Sequence, residues 1–279
     1  MAENNFSLQK TLTMLLDEKK YHSLRDILST MNPADIAAIF DDLDQACLPL
    51  LFRLLPKELA AETFVEMEPE AQELLIRGFS DSELKEVIDE LYVDDAVDIV
   101  EEMPANVVQR ILSQAEPDMR KQINEILRYP EDSAGSIMTT EYVSLRPNMT
   151  VEEAILRIRR TGIDKETIYT CYVTRGHKLI GLTSVKDLLL CEDDDATIES
   201  IMQEHVITVS TLDDKEQVAQ MFSKYNFLAL PVVDTEDRLV GIVTFDDAMD
   251  VMEDEATEDM EKMAAMLPSE HPYMRSTPI

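Results

Sequence analysis

The tripeptide Ser136-Ile137-Met138 returns sixty-four residues later as Ser200-Ile201-Met202, and each copy is followed by the same order of elements. A short extended stretch (Val143-Ser144-Leu145; Ile207-Thr208-Val209) leads into an amphipathic helix, predicted over residues 151–159 and 215–225. A strand follows, 168–173 in the first copy and 228–233 in the second, with Thr170-Cys171-Tyr172-Val173 standing opposite Leu230-Pro231-Val232-Val233. Each copy closes on Ile180-Gly181-Leu182-Thr183-Ser184-Val185-Lys186-Asp187 or Val240-Gly241-Ile242-Val243-Thr244-Phe245-Asp246-Asp247, now sixty residues apart because the first loop is longer. A glycine inside such a strand marks a bulge or a close backbone approach. Residues 136–252 are therefore one βαββα-like unit written twice, and they read as a ligand-sensing regulatory module.

The first half carries a different repeat. From Met31 to Ala115 an apolar residue returns every twelve positions: Met31, Leu43, Leu55, Met67, Phe79, Leu91, Met103, Ala115. Helix-start signals follow most of them, as in Asn32-Pro33, Pro56, Ser80-Asp81 and Asp94-Asp95. Asn, Ser and Asp accept hydrogen bonds from the open N–H groups of a first turn, and Pro has no N–H to lose there. Between the starts, apolar residues keep helical spacing, as in Leu84, Val87, Ile88 and Leu91. Helices of about eight residues are marginal alone, so they must stack on their neighbours as a solenoid. Tyr129-Pro130 ends the array, because the residue before a proline is pushed out of helical geometry. Such a scaffold is expected to bind rather than to catalyse.

Charge bears on what the chain binds. There are 57 Asp and Glu against 25 Lys and Arg, a formal net of −32. That surface repels nucleic acid and anionic membrane and attracts cations or basic partners, although an acidic surface also serves solubility alone. Cys47, Cys171 and Cys191 are odd in number and far apart, which argues against a disulfide framework and for a reducing compartment. The start MAENNFSLQK lacks the pattern of a signal peptide, and no run approaches the ~18 apolar residues of a bilayer span. A soluble, cytosolic chain is expected. Catalysis is not: the six glycines are too dispersed for a phosphate-cradling loop, and His22, His177, His205 and His271 form neither a metal pair nor a triad.

The order Ile-Met, amphipathic helix, Leu230-Pro231-Val232-Val233-Asp234, then Val-Gly-Ile-Val-Thr-x-x-Asp over residues 240–247 resembles a pair of CBS domains, closely in the second copy and loosely in the first. The resemblance implies a pseudo-two-fold module that dimerises face to face and binds adenosyl nucleotides in many of its members. The junction Tyr129-Pro130-Glu131-Asp132-Ser133-Ala134-Gly135-Ser136-Ile137-Met138-Thr139 and the acidic run Asp254-Glu255-Ala256-Thr257-Glu258-Asp259 carry the likeness further. With them, residues 30–267 resemble the cytosolic part of MgtE-type magnesium channels, in which a connecting helix and a transmembrane pore follow. The implied fold class is α+β: an N-terminal all-α superhelical, solenoid-like domain (1–130), a tandem CBS pair (131–199 and 200–253) and the start of a C-terminal acidic helix (254–279). The implied chain is a sensor without its pore, at the cytoplasmic face of the cell membrane. It is homodimeric through the CBS pair, joined covalently to the pore in the full-length protein, and has no nucleic-acid partner.

Magnesium is a hard cation that takes oxygen ligands and keeps several waters, so a site needs one or two carboxylates with others nearby. Asp94 and Asp98, four apart, share a helix face, as do Asp247 and Asp250, three apart. From spacing alone these read first as a solvated acidic face. The resemblance implies Mg²⁺ ligands at Glu62, Asp94 and Asp98 on the solenoid and at Asp214, Glu216, Asp247 and Asp250 on the CBS pair. Glu255, Glu258 and Asp259 would face the connecting helix and pore. Asn226 stands where that family has an aspartate, which would weaken any site using it. For ATP, the CBS pattern implies Ser184, Asp187, Thr244 and Asp247 as hydroxyl and ribose-carboxylate positions, with Tyr169 and Phe227 available to stack on a base; the plain alternative is that these residues close turns. Met249, Met252, Met260, Met263 and Met266 are expected as a packing stripe on the last helix, set against a partner helix or the CBS dimer, or else as an exposed stripe. Two rival functions remain open: an adenine-nucleotide sensor, and an acidic solenoid adaptor for a basic protein.

Overall fold

The computed structural model describes residues 2–41 and 43–264. The chain divides into two compact units, Met1–Ile123 and Asn124–Ile279, each taken by itself below. The first is helical: α1 (Ala2–Asp17), α2 (Tyr21–Leu28), α3 (Pro33–Asp41), α4 (Leu48–Phe52), α5 (Lys57–Val65), α6 (Pro69–Gly78), α7 (Asp81–Ile88), α8 (Val93–Glu102), α9 (Ala105–Gln114) and α10 (Pro117–Ile126), the last carrying the chain into the second unit.

The twelve-residue beat is a beat of helix caps. Pro56, Glu68, Ser80, Tyr92 and Pro104 are successive N-caps. The apolar anchors Leu55, Met67, Phe79, Leu91 and Met103 each lie one residue before a cap and are buried. Helices two apart then stack, α3 on α5, α5 on α7 and α7 on α9, which is how short helices cover one another's apolar faces. Phe52, Phe64 and Phe79 meet in the core at ring separations of 5.4 to 6.5 Å. Arg110, on α9, donates to the carbonyls of Ile76 and Phe79 at the end of α6, placing a cation where a helix leaves carbonyls open.

Two expectations need correction. The cap of α8 is Tyr92, which makes no side-chain capping bond, while Asp94 and Asp95 lie inside the first turn; there they favour the helix through its dipole. The beat also skips at Leu43. Ala46 N–H donates to Asp44 Oδ1 at 3.1 Å, a local turn that delays the next helix to Leu48.

Helix α7 has a full capping box, Ser80 with Glu83, and Glu83 also accepts from Arg53 Nε at 2.6 Å. The Arg53 bond, then the Ser80 N–H, hold the Glu83 carboxyl down at about 2 against an ordinary 4.5. A depressed acid stabilises the fold above its unfolded pKa and loses that contribution as pH falls through the folded one. Glu83→Gln is therefore expected to cost about 1 kcal/mol at pH 7, the partial exposure of the pair keeping it small. The variant should also flatten the stability loss between pH 4.5 and 2. Urea midpoints at several pH values check this, and parallel curves for variant and parent would refute it.

The second unit holds two three-stranded sheets, β1 (Tyr142–Leu145), β2 (Thr167–Arg175) and β3 (Lys178–Ser184), then β4 (Val209–Ser210), β5 (Ala229–Val233) and β6 (Leu239–Thr244), in orders β1-β2-β3 and β4-β5-β6. In each sheet the first pair is parallel and the second antiparallel. The parallel pairs need a crossover, supplied by α11 (Val151–Thr161) and α14 (Lys215–Tyr225). Helices α12 (Val185–Leu190) and α15 (Phe245–Ala264) close the two repeats, with the single turn α13 (Ile198–Ile201) between them. The boundary drawn at 253/254 thus falls inside one unbroken helix.

Register shifts the sequence comparison by one. Cys171 pairs with Thr183 and Leu230 with Val243, so Cys171-Tyr172-Val173 matches Leu230-Pro231-Val232 and Tyr172 takes the place of Pro231. The extra length of the first copy lies in a 3-10 turn, Gly162–Asp164, and the two residues after it. After α14, by contrast, the chain turns at once on Asn226, which is left-handed (φ 54°). Asparagine tolerates that conformation better than most residues, giving Asn226 a structural duty.

The leading segments are exchanged between repeats. Thr139, ahead of β1, exchanges both backbone hydrogen bonds with Ile242 of β6, while Gln203, ahead of β4, does the same with Leu182 of β3. Ala134 and Met138 accordingly sit in the core of the second repeat, beside Phe222, Leu230 and Val243.

Candidate functional site

Each repeat ends its last strand on a hydroxyl that bonds the aspartate in the first turn of the following helix. Ser184 Oγ donates to Asp187 Oδ2 at 2.7 Å and accepts from Asp187 N–H at 3.0 Å. Thr244 Oγ1 donates to Asp247 Oδ2 at 2.6 Å, and Thr244 N–H donates to the same oxygen. The four residues picked for a nucleotide are thus first of all two equivalent hydroxyl–carboxylate contacts, which hold each acid at the mouth of its strand.

The aromatic candidates separate. Tyr169 lies on β2 and is 67 % exposed. Phe227 is half-buried against the second core, with Tyr225 tilted over it at 5.4 Å and Phe222 edge-on at 6.4 Å. By strand register the counterpart of Tyr169 is Leu228, 60 % exposed, and that of Phe227 is Ile168, packed on the first core. Leu228 was missed because an exposed leucine before a strand has no signal of its own.

The acids divide by unit. Glu62 and Asp98 are exposed on α5 and α8, and Asp94 is only 6 % exposed. In the second unit Asp214 is the exposed N-cap of α14, accepting from Gln217 N–H at 3.1 Å. Glu216, in the first turn of the same helix, accepts from Gln220 Nε2. Helix α15 packs on α14 and brings Glu255 towards Glu216, with Glu258 and Asp259 beside it. Burial, then repulsion from Glu216 and Glu258, raises the Glu255 carboxyl above its ordinary value. Lys262 relieves this in part while it pairs with Glu258. Asp247 and Asp250 lie on the first turns of the same helix. A further acid pair went unread: Glu166 N–H donates to Glu141 O at 2.9 Å, and their carboxylate oxygens come within 4.8 Å of each other.

The described part of the methionine stripe is exposed, as its alternative reading expected. Met249, Met252 and Met260 are exposed, and Ala248, Val251 and Thr257 are the buried residues of α15. The side chain of Met263, and Met266 altogether, lie outside the described residues.

Residues 31–132 match the MgtE intracellular N domain, and residues 134–192 and 198–254 each match the CBS domain. The crystal structure of the cytosolic domain of the Mg²⁺ channel MgtE in complex with ATP superposes with a TM-score of 0.82 at 38 % identity, covering 87 % of this chain and 99 % of that one. The chain belongs to the MgtE family. A second crystal structure, of the soluble part of a magnesium transporter, agrees at a TM-score of 0.81 and 33 % identity, covering 92 % of this chain and all of that one. The magnesium transporter MgtE of Thermus thermophilus is 38 % identical over 98 % of this chain, and that of Bacillus subtilis 32 % over 91 %. The chain spans 61 % and 56 % of those two relatives. What it shares with MgtE is the N domain and the CBS pair, and among its described residues no helix is long and apolar enough to cross a membrane.

Proposed function

We propose that this chain is the Mg²⁺-sensing regulatory region of an MgtE-type magnesium transporter, acting at the cytoplasmic face of the membrane. The observation that carries the reading is the crowding around Glu255, where Glu216, Glu258 and Asp259 oppose its ionisation. Such a cluster fits a small hard dication that takes carboxylate oxygens while keeping its own waters. Without the ion the acids repel. With it, carboxylates of the CBS pair and of the helical unit (Glu62, Asp94, Asp98) are drawn together, and the closed arrangement is selected. The chain self-associates through its CBS pair, and closure is passed to the covalently attached pore.

Millimolar Mg²⁺ is expected to compact the chain in small-angle scattering and to protect it from limited proteolysis. If neither changes up to tens of millimolar while the protein stays folded, the sensor reading fails. Glu255→Gln sharpens the test. Because the raised acid costs stability as pH rises through its folded pKa, the variant should melt higher than the parent at pH 7 without metal and gain less from Mg²⁺. A lower melting point with an undiminished Mg²⁺ gain would contradict the assignment.

A second reading, ATP binding, is supported by the paired hydroxyl–carboxylate contacts Ser184–Asp187 and Thr244–Asp247 at equivalent places in the two repeats, with Tyr169 exposed on β2 and Leu228 exposed at its register-equivalent position. Thermal shifts with ATP, AMP and Mg²⁺ added separately distinguish an adenylate sensor from a metal sensor.

A further inference from the structure

The junction from Tyr129 to Ser136 is bound along its length to the start of α14. Asp132 O accepts from Lys215 N–H at 3.0 Å, Ala134 N–H donates to Asp213 O at 2.7 Å, and Gly135 N–H donates to Thr211 O at 3.0 Å. Asp132 Oδ1 also faces Lys215 Nζ at 3.6 Å. Asp214, the N-cap of α14, therefore has its backbone held on both sides. Ser133 and Ser136 are buried, and their hydroxyls donate within the junction, to Pro130 O at 2.6 Å and to Glu131 O at 2.7 Å.

The start of α11 is held by the same clamp. Val151 N–H donates to Ala196 O, Ile198 N–H to Met149 O and Glu199 N–H to Pro147 O, so Ala196, Ile198 and Glu199 stand where Asp132, Ala134 and Gly135 do. The cap held there is Thr150, which Glu153 closes into a capping box. Two features set the other clamp apart. Its cap is a carboxylate: Asp214 Oδ1 accepts from Gln217 N–H at 3.1 Å, while Oδ2 takes no bond among the described residues and lies on an exposed side chain. It also carries a lock. The Tyr129 ring lies so close over Gly135 that a Cβ there would come within 2.5 Å of the ring and 2.9 Å of Thr211 O, and the ring packs in turn on the core of the second repeat. At the matching places the first clamp has Asp193 and Glu199, with neither the ring nor the bare Cα beneath it.

We propose that the Tyr129–Gly135 lock positions Asp214 for a divalent cation. It fixes the backbone of the cap so that the second carboxylate oxygen is held outward, and the bound cation tightens the junction in return. Mg²⁺ keeps most of its waters and takes one or two carboxylates, so a ligand oxygen fixed in advance lowers the ordering cost of binding. A coupling of this kind is reciprocal. Tyr129 and Gly135 touch no ion; they act through the N-cap. The proposal rests on the Mg²⁺-sensing reading above and gives that reading two positioning residues.

Hydrogen exchange of the 279-residue chain, read by mass spectrometry over residues 129–139, follows the junction directly. Millimolar Mg²⁺ is expected to slow exchange there about threefold or more. Gly135→Ala forces the junction away from Thr211 O and is expected to raise the Mg²⁺ midpoint of that protection about threefold. Tyr129→Ala, which removes the ring without adding bulk, should do the same and serves if the first variant does not fold. Tyr129→Phe keeps the ring and should keep the parent midpoint. In an Asp214→Asn background neither Gly135→Ala nor Tyr129→Ala should move the midpoint further. A lock with only a structural role would lower the melting temperature and leave the Mg²⁺ midpoint unchanged; that result overturns the proposal, as does an equal shift with and without Asp214. A junction indifferent to Mg²⁺ in a chain that Mg²⁺ still protects from proteolysis overturns the lock alone. A chain that Mg²⁺ protects nowhere overturns the sensor reading and the lock together.

Discussion

Replacing Gly241 with valine is expected to destabilise the second unit by about 3 kcal/mol or more. A Cβ at 241 would lie 2.7 Å from Met138 Sδ and 2.8 Å from Thr139 O. The methionine can move, but the carbonyl cannot, because Ile242 N–H donates to it at 2.9 Å in the bridge that ties the leading segment of the first repeat to the second sheet. The mirror position behaves alike: a Cβ at Gly181 would lie 2.7 Å from Met202 Sδ and 2.9 Å from Gln203 O. Since each leading segment belongs in space to the other repeat, either substitution should lower both repeats in one transition. Gly78, at the end of α6, has nothing within 4 Å of a built Cβ, so Gly78→Ala is the control and should be neutral or slightly stabilising. Thermal unfolding followed by circular dichroism reads all three, and a Gly241→Val chain that melts with the parent would show that the close approach is not fixed.

The same glycines show what the sequence makes legible and what it hides. Their position in a strand announces a close approach, but not to what. The partner lies about a hundred residues away for Gly241 and about twenty for Gly181, in segments whose only mark is Ile-Met. The helical unit was easier, because its information is local. One residue per period must be apolar and the next must cap a helix, so the beat and the caps coincide from Leu55 to Met103. It failed where Asp44 makes a turn of its own and at α8, whose cap is Tyr92 while Asp94 and Asp95 lie inside the first turn.

Candidate ligands were harder, since one residue type serves two ends. Asp187 and Asp247 bond the hydroxyl that precedes them and are equally the acids of the duplicated motif. Asn226 reads as a weakened ligand until its left-handed backbone explains it. The Glu141–Glu166 pair is assembled by a backbone bond across twenty-five residues, which no periodicity reports.

Divergence between the repeats supplies the second large effect. Where the second repeat has Pro231, the first has Tyr172, wholly buried among Ala229, Leu239 and Ile242. The neighbouring ring, Tyr142, meets it edge-on at 5.9 Å and donates its own hydroxyl to Leu239 O at 3.3 Å. Tyr172 Oη has no such acceptor, and burial, followed by Cys171 and Tyr142, pushes its ionisation far above the ordinary phenol value. A buried donor without a partner costs about 1–3 kcal/mol, whereas a satisfied one contributes about 1. Phenylalanine fills the same space without the hydroxyl, so Tyr172→Phe is expected to stabilise the second unit by about 1–2 kcal/mol and raise its melting point by roughly 2–6 °C. Tyr142→Phe, which removes a hydroxyl that has an acceptor, should move stability the other way by about 1 kcal/mol. Opposite signs from one chemical change at two adjacent rings leave packing out of the comparison, because both variants delete the same atom. Should Tyr172→Phe instead lose stability as Tyr142→Phe does, the hydroxyl must be bonded to an ordered water, and the first repeat would owe its tyrosine to that water rather than to ring packing.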